Sequence, residues 1–394
     1  MTKVTEIAPD IFWVGAIDWH RRVFDRFFSL PHGTTYNAYL VRGKEKIALV
    51  DTVARGFEDT LLEKIGQIVA PEDIDYIVMN HAEPDHAGAI PRVMAAAPKA
   101  RLVASRRGVE MAGDFFDVPP ERCQAVTDGQ TLDLGGKTLQ FLDTPWLHWP
   151  ETMSTYCLQD GALFSCDFMG AHLASHKLFA EDVGGLAIPE AKRYYAAIMM
   201  PFASRARRAL DKIQGLNLRL LAPSHGPIHK NPSLIMEAQR KWASGPLEPK
   251  VVVVFATMYG ATDTLKKALV DGLLAAGAET VEYDLSVADI SHIMADLVDA
   301  RALVVGSPTF IGGAHPLVSS AVETVCTLRP PGKVAAVFGS SGWSGGAVSR
   351  VKARLESVGY QVLEPLEIRG SPHTEDLEAA RALARQVAER ILAE

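Results

Sequence analysis

Four side chains able to bind a metal stand within six residues of this chain: His81, Glu83, Asp85 and His86, in the run Asn80-His81-Ala82-Glu83-Pro84-Asp85-His86-Ala87-Gly88. Imidazole suits both zinc and iron, and an oxygen-rich site favours harder, redox-active ions. Pro84 is expected to prevent a regular helix and force a loop. The run follows a predicted strand, Tyr76 to Met79, and precedes a helix, where an ordinary capping role would fit Asp85 and His86. Four ligands so close together outweigh a surface cap cluster. Further candidates lie downstream, each on a tight turn just past a predicted strand: His148, Asp167 and His225. Taken singly, each reads at least as well as a turn or capping residue. His172 and His176 follow Asp167 closely enough to stand behind the ligands, and carry no ligand assignment.

A second group of residues suits a phosphate-bearing ligand. Thr257-Met258-Tyr259-Gly260-Ala261-Thr262 follows a buried strand and opens a helix. Backbone N–H groups and threonine hydroxyls there can wrap a phosphate at the positive helix end. The run is neither a G-x-G-x-x-G dinucleotide fingerprint nor a Walker loop. Two more loops of small residues follow later strands. One is Ser307-Pro308-Thr309-Phe310-Ile311-Gly312-Gly313 and the other Gly339-Ser340-Ser341-Gly342-Trp343-Ser344-Gly345-Gly346. Both are placed beyond the carboxyl ends of strands, where open α/β sheets bind ligands.

The elements that carry these groups fall into two parts. A chain of 394 residues suggests two or three domains. Ser244-Gly245-Pro246-Leu247-Glu248-Pro249 stops a helix and stiffens an exit, so domains are expected over 1–247 and 248–394. The second part alternates strand and helix: strands at 251–256, 280–284, 302–305, 334–338 and 361–367, with helices at 264–276, within 289–300 and at 374–393. That order implies a doubly wound parallel sheet. In the first part short strands are expected at 11–15, 36–41, 46–50, 101–104, 138–142, 154–158 and 162–165, with Gly135-Gly136 as a hairpin turn. Helices are expected at 57–69, 88–97, 106–115 and 190–213, giving a sheet sandwich flanked by helices.

Composition excludes several classes. With 48% hydrophobic and 22% charged residues the chain can bury real cores, which rules out general disorder. A net charge of −7 does not suit a nucleic-acid or anionic-membrane binder. No apolar run approaches the roughly 18–20 residues of a membrane span, and the N-terminus is not a signal peptide; the cytoplasm is the expected location. Cys123, Cys157, Cys166 and Cys326 form no C-x-x-C pair, which speaks against a zinc knuckle, an iron–sulfur cluster or a redox disulfide. Buried free thiols in a reducing compartment are expected instead.

The H-x-E-x-D-H loop, the later His148, Asp167 after a strand and the final Ser224-His225-Gly226 resemble the metallo-β-lactamase superfamily. Glu83 stands where the zinc hydrolases have histidine. That variant, followed by T-x-Y-G-x-T of flavodoxin type, resembles the flavodiiron proteins, or A-type flavoproteins, over essentially the whole chain. Spacing agrees: 62 residues lie between Asp85 and His148 and 18 between His148 and Asp167. The resemblance implies a metallo-β-lactamase-like αββα sandwich followed by a flavodoxin-like domain. It implies one iron on His81, Glu83 and His148, a second on Asp85 and His225, and Asp167 bridging. His86 either binds the second iron or hydrogen-bonds a ligand. FMN is implied on the three loops of the second domain. Trp343 is implied to lie near the flavin and the partner subunit's diiron pocket, or to pack on FMN alone. Tyr195 resembles a pocket tyrosine that hydrogen-bonds a gas-derived oxygen, and reads equally as a tyrosine of an ordinary helix. Asp25 departs from the pattern, since relatives often have histidine there, so a proton-donor role is not carried over.

By this resemblance the chain is an oxidoreductase that reduces dioxygen to water, nitric oxide to nitrous oxide, or both. A head-to-tail homodimer, or a dimer of such dimers, would bring FMN of one copy beside the iron pair of another. No cysteine-rich rubredoxin segment is encoded in these residues, so a separate donor such as rubredoxin is expected. Two other readings share the fold: a binuclear zinc hydrolase with a flavodoxin-like domain, and a non-enzymatic FMN electron carrier with a structural metal site.

Overall fold

A computed structural model describes residues 4–393. The chain divides into two compact units: the first ends at Ala243, the second begins at Ser244, and the short segment Ala196–Pro201 groups with the second. Among the described residues no helix is long and apolar enough to cross a membrane.

The first unit is built on two sheets. One runs, in spatial order, Thr5–Ala8, Ile11–Trp13, Tyr39–Arg42, Ile47–Val50, Tyr76–Val78, Arg101–Ser105 and Cys123–Val126. The other runs Thr131–Asp133, Thr138–Asp143, Met153–Cys157, Ala162–Cys166 and Leu220–Pro223. The period-two alternation of strands assigns their faces. Tyr39, Val41, Ala48, Val50, Val78 and Val103 face the second sheet and pack with Phe141, Met153, Cys157 and Phe164. Their neighbours Leu40, Leu49, Ile77 and Leu102 face the other way, onto Leu61 and Ile65 of the helix Glu58–Gly66, and onto Ile90, Val93, Ala112 and Phe116. Gly135-Gly136 lies in the turn joining the antiparallel strands Thr131–Asp133 and Thr138–Asp143, as expected.

Three local expectations need correction. Pro84 does not abolish helix: Pro84–Ala87 forms one helical turn with proline at its first position, where the missing N–H costs nothing. The expected helix over 190–213 is broken. Ala187–Tyr194 is α-helical, Tyr195–Met199 winds as a π-turn, Met200–Phe202 tightens, and Ala203–Ile213 resumes. Pro201 has no N–H to continue the ladder. The strand expected over 361–367 is two pieces, Gln361–Val362 and Leu366–Arg369, separated at Pro365.

The second unit is a sheet in the order Glu279–Asp284, Glu248–Phe255, Ala300–Phe310, Val334–Ser341, Gln361–Val362, with parallel neighbours. This is the 2-1-3-4-5 order of mononucleotide-binding doubly wound folds. Leu366–Arg369 also pairs in parallel with Val334–Ser341. Two strands run further than expected. Ser307, Pro308, Thr309 and Phe310 continue one strand, and Gly339, Ser340 and Ser341 the next, because their parallel pairing extends to Pro308 opposite Ser340. The first of these turns back through Ile311-Gly312 into Gly313–Ala314. Two helices not expected from the sequence, Pro316–Leu328 and Ala347–Glu356, complete the crossovers.

Candidate metal centre and flavin loops

The first unit gathers the candidate ligands from the ends of four strands. His81, Glu83, Asp85 and His86 follow Tyr76–Val78, and His148 follows Thr138–Asp143. Asp167 follows Ala162–Cys166, and His225 follows Leu220–Pro223. The ligand atoms of His81, Glu83, His148 and Asp167 lie within 4.8 Å of one another, and so do those of Asp85, His86 and His225. Glu83 Oε2 stands 3.2 Å from His81 Nε2 and 3.1 Å from His148 Nε2. Asp85 Oδ2 stands 3.2 Å from His225 Nε2, and Oδ1 stands 3.3 Å from His86 Nε2. Asp167 joins the groups: Oδ2 lies 3.5 Å from both His81 and His148, while Oδ1 lies 2.9 Å from His86 and 3.6 Å from His225.

Surrounding residues fix this arrangement. Each Nε2 turned inward needs its ring held from behind. His81 Nδ1 lies 2.6 Å from Glu151 Oε1, and His225 Nδ1 lies 2.6 Å from the Thr35 carbonyl. Asp51 accepts from the Asn80 amide at 2.8 Å and from Ser224 Oγ at 3.3 Å, tying the His81 loop to the His225 loop. The Thr52 hydroxyl donates to the His86 carbonyl. Gly226, with φ +77°, is required where it stands, since a Cβ there would meet the Ala171 carbonyl oxygen at 2.4 Å. His172 sits behind His225, its Nδ1 2.8 Å from Thr34 Oγ1.

Charge accumulates in this interior. Burial opposes a proton on His81, but hydrogen bonds to Glu151 and Glu83 outweigh it and raise the group to about 10. His148 rises to about 10 against its own burial, through Asp167 and Glu83, and His86 to about 9 through Asp167 and Asp85. Burial works against Asp85 and Asp167 too, yet the histidines hold both carboxyls below the usual range. Without metal, the carboxylates favour protons on His81, His86 and His148. The set fits a pair of divalent cations, which would replace those protons. Two buried carboxylate oxygens, Asp85 Oδ1 and Asp167 Oδ2, have no hydrogen-bond partner among the described residues and face the clusters. The Cys166 thiol groups with His86 and Asp167. Burial, with Asp51 and Asp167 beside it, pushes its titration far up and keeps it a neutral thiol.

Of the two tyrosines, Tyr194 hydrogen-bonds a candidate ligand and Tyr195 does not. The Tyr194 hydroxyl donates to Asp167 Oδ1 at 2.7 Å. The Tyr195 hydroxyl has no hydrogen-bond partner among the described residues, and its ring packs on Trp242. Adjacent helical residues point about 100° apart, so only one of the pair can face the centre. Asp25 sits at the tip of the hairpin formed by Val23–Phe24 and Phe28–Ser29. Its carboxyl is raised first by burial and then by Glu83, with His148 opposing, which puts it in electrostatic reach of the centre. The sequence did not single out Asp51, Glu151, Tyr194 or Asn37, whose Nδ2 donates to the Pro223 and Gly226 carbonyls on either side of His225. Asp51 alone carried a signal, a carboxylate just past a strand as at Asp167.

In the second unit the helix Ala261–Ala275 begins at Gly260 with φ +90° and no side-chain cap, leaving its first amides open to an anion. Thr257 Oγ1 accepts from the Gly260 amide, and Thr262 Oγ1 lies 3.0 Å from Ser340 Oγ, linking the first and third loops. A Cβ at Gly260, Gly312 or Gly342 would meet nothing within 4 Å, so these backbones border open space. Ser307 Oγ accepts from the His315 amide and Ala347 N donates to Thr309 Oγ1. Met258, Tyr259, Phe310 and Trp343 are exposed, Tyr259 at 94% and Trp343 at 82%. Ser344 and Gly345 are exposed as well. Open backbone, free helix amides and exposed aromatic rings fit a phosphate with a flat ring system.

A sandwich with a paired histidine–carboxylate cluster, followed by a mononucleotide-type sheet, defines a class of two-domain metal flavoproteins. Residues 34–226 match the family model described as ODP family beta lactamase, and residues 253–383 match flavodoxin. The chain belongs to the flavodiiron proteins, also named type A flavoproteins. Over 99% of its length it is 39% identical to the whole of a protein named nitric oxide reductase from Moorella thermoacetica. Its fold matches rubredoxin oxygen:oxidoreductase from Desulfovibrio gigas with a TM-score of 0.96 at 30% identity, covering 99% of each chain. The flavodiiron protein from Giardia intestinalis gives the same TM-score and identity over 100% of this chain and 98% of that one.

Proposed function

We propose that this protein is a flavodiiron oxidoreductase that reduces dioxygen to water, nitric oxide to nitrous oxide, or both, with electrons from an external donor. The observation that carries the reading is Asp167, whose two carboxylate oxygens face two separate ligand clusters. His81, Glu83 and His148 would hold one iron, Asp85, His86 and His225 the other, with Asp167 shared. The phosphate of FMN fits the Thr257–Thr262 loop, and the ring system fits the strand ends at Ser307–Phe310, Gly312 and Gly339–Gly345. When bound, a ferrous pair would supply two electrons and reduced FMN two more, four in all, enough to carry dioxygen fully to water.

The chain's own residues contribute geometry and charge. Glu83, Asp85 and Asp167 bring three carboxylates, which balance most of the charge of two ferrous ions in a buried site. Tyr194 holds Oδ1 of Asp167 in place with a neutral donor, adding no charge. Glu83, an oxygen donor where the hydrolases have nitrogen, favours redox-active ions over zinc.

The donor in this reading is a small protein such as rubredoxin, and the active form is a head-to-tail homodimer or a dimer of such dimers. The exposed Trp343 and Tyr259 rings suit a surface that another copy covers. The domain division is placed at residue 247. A cytoplasmic location agrees with four cysteines that are all free and buried.

The test compares steady-state consumption of dioxygen and nitric oxide by the same iron- and FMN-replete protein with saturating reduced rubredoxin. Consumption of either gas, lost in Asp167→Ala, supports the reading, and the faster gas identifies the substrate. Consumption of neither gas returns the zinc hydrolase and the FMN carrier.

A further inference from the structure

The two halves of the metal centre are not hydrogen-bonded alike. In one half His81 turns Nε2 toward Glu83 and Asp167, while Nδ1 lies 2.6 Å from Oε1 of Glu151. The same oxygen accepts the Ala82 amide at 3.0 Å. Glu151 is buried, and its Oε2 has no hydrogen-bond partner among the described residues. Its carbonyl accepts from Ser105 Oγ at 2.7 Å, which anchors the backbone beneath the side chain. In the other half His225 Nδ1 donates to the neutral Thr35 carbonyl, and His86 Nδ1 has no partner among the described residues. A carbonyl and a carboxylate orient an imidazole equally well. Only the carboxylate adds negative charge, and a carboxylate on Nδ1–H raises the donor strength of Nε2.

We propose that Glu151 is a positioning residue that makes the metal on His81, Glu83 and His148 the more electron-rich of the pair, and therefore the one with the lower reduction potential. The inference rests on the diiron reading above. Burial leaves the charge of Glu151 poorly screened, so it acts at the neighbouring metal position more strongly than a surface carboxylate would. Thr35 gives the second position the same orientation without the charge. The buried Asp51 also lies near His86, but it bonds Asn80 and Ser224 and no imidazole, so the asymmetry is in which ring carries a carboxylate on its Nδ1.

Glu151→Gln separates charge from orientation. Its amide oxygen can still accept from His81 Nδ1–H and from the Ala82 amide, and its nitrogen takes the place of Oε2, which has no partner to lose. A redox titration of the iron-loaded protein, followed by Mössbauer spectroscopy, reads the two irons separately. The expected result is two irons still bound, with the lower of the two potentials moved upward and the gap narrowed. Unchanged potentials with both irons retained would reduce Glu151 to a structural prop and overturn the proposal. Glu151→Ala removes both charge and orientation, and should weaken metal retention at one of the two positions by about 10- to 100-fold. Chelator competition with zinc as well as iron measures it, and native retention of both ions would also overturn the proposal. Wild-type protein that holds zinc but no iron would instead defeat the diiron reading, with the zinc arm still deciding the role of Glu151.

Discussion

Replacing Asn37 by alanine should destabilise the protein and loosen one metal position together. Asn37 is fully buried and clamps the turn that carries His225: its Nδ2 donates to the Pro223 carbonyl at 2.8 Å and to the Gly226 carbonyl at 2.9 Å. Its Oδ1 accepts from Trp13 Nε1 at 2.9 Å. Alanine removes all three bonds, but Pro223 keeps the Tyr39 hydroxyl at 2.6 Å. Two buried groups are left stranded, the Trp13 N–H and the Gly226 carbonyl. At about 1–3 kcal/mol for each unsatisfied group, the loss is about 2–6 kcal/mol. A water admitted to the vacated space would bring it to the lower end. For a domain of this size that corresponds to a melting temperature lower by roughly 4–24 °C. Scanning calorimetry of the metal-loaded protein reads the shift, and chelator competition reads retention at the Asp85, His86 and His225 position. A loss below about 1 kcal/mol with native metal retention would show that the clamp does not hold the turn, and would refute the reasoning.

Other perturbations follow from the same contacts. Tyr194→Phe removes a donor to a charged acceptor, should cost about 1.5–3 kcal/mol and should slow gas turnover, whereas Tyr195→Phe removes a hydroxyl without a partner and should leave turnover unchanged; denaturation and electrode assays on the two variants distinguish them. Glu83→His should shift metal preference from iron toward zinc, checked by metal analysis after loading from an equimolar mixture. Thr257→Ala removes the acceptor of the Gly260 amide and should weaken FMN retention with iron content unchanged; joint loss of flavin and iron would contradict it. In metal-free protein His81 and His148 titrate at about 10 and His86 at about 9, above the unfolded value of about 6.5. Their contribution to stability is complete below about pH 6.5 and is lost as pH rises to about 10, a loss the metal-loaded protein should not show. Denaturation midpoints across that range, with and without metal, measure it.

The candidate ligand cluster was legible because chemistry-bearing types gathered just past predicted strands, and the structure brings those strand ends together. Faces were legible too: the alternation through Tyr39-Leu40-Val41 and Ala48-Leu49-Val50 sends successive side chains into two different cores. Helix phase was not. Whether Tyr194 or Tyr195 faces Asp167 depends on the phase of the helix that ends at Tyr194, where a π-turn takes over, and no residue pattern marks that point. Glu151, Asn37 and Thr35 are ordinary polar residues in the sequence. Their roles come from partners 70, 186 and 190 positions away. Strand ends were underestimated at Ser307–Phe310 and Gly339–Ser341 because small residues read as loop, while parallel pairing carries them on. The helix Pro316–Leu328 did have a signal, a proline at its start and buried Val318, Val322 and Val325 at helical spacing.

The most direct test of the central claim counts electrons. Iron- and FMN-replete protein is fully reduced under anaerobic conditions, freed of donor, and mixed with excess dioxygen in one arm and nitric oxide in the other. The account predicts that a chain holding four electrons converts one dioxygen to water without releasing hydrogen peroxide, or consumes nitric oxide in proportion to form nitrous oxide, and that Asp167→Ala abolishes both. Protein that leaves both gases untouched, or that returns its electrons only as hydrogen peroxide at the same rate in the Asp167→Ala variant, would contradict it.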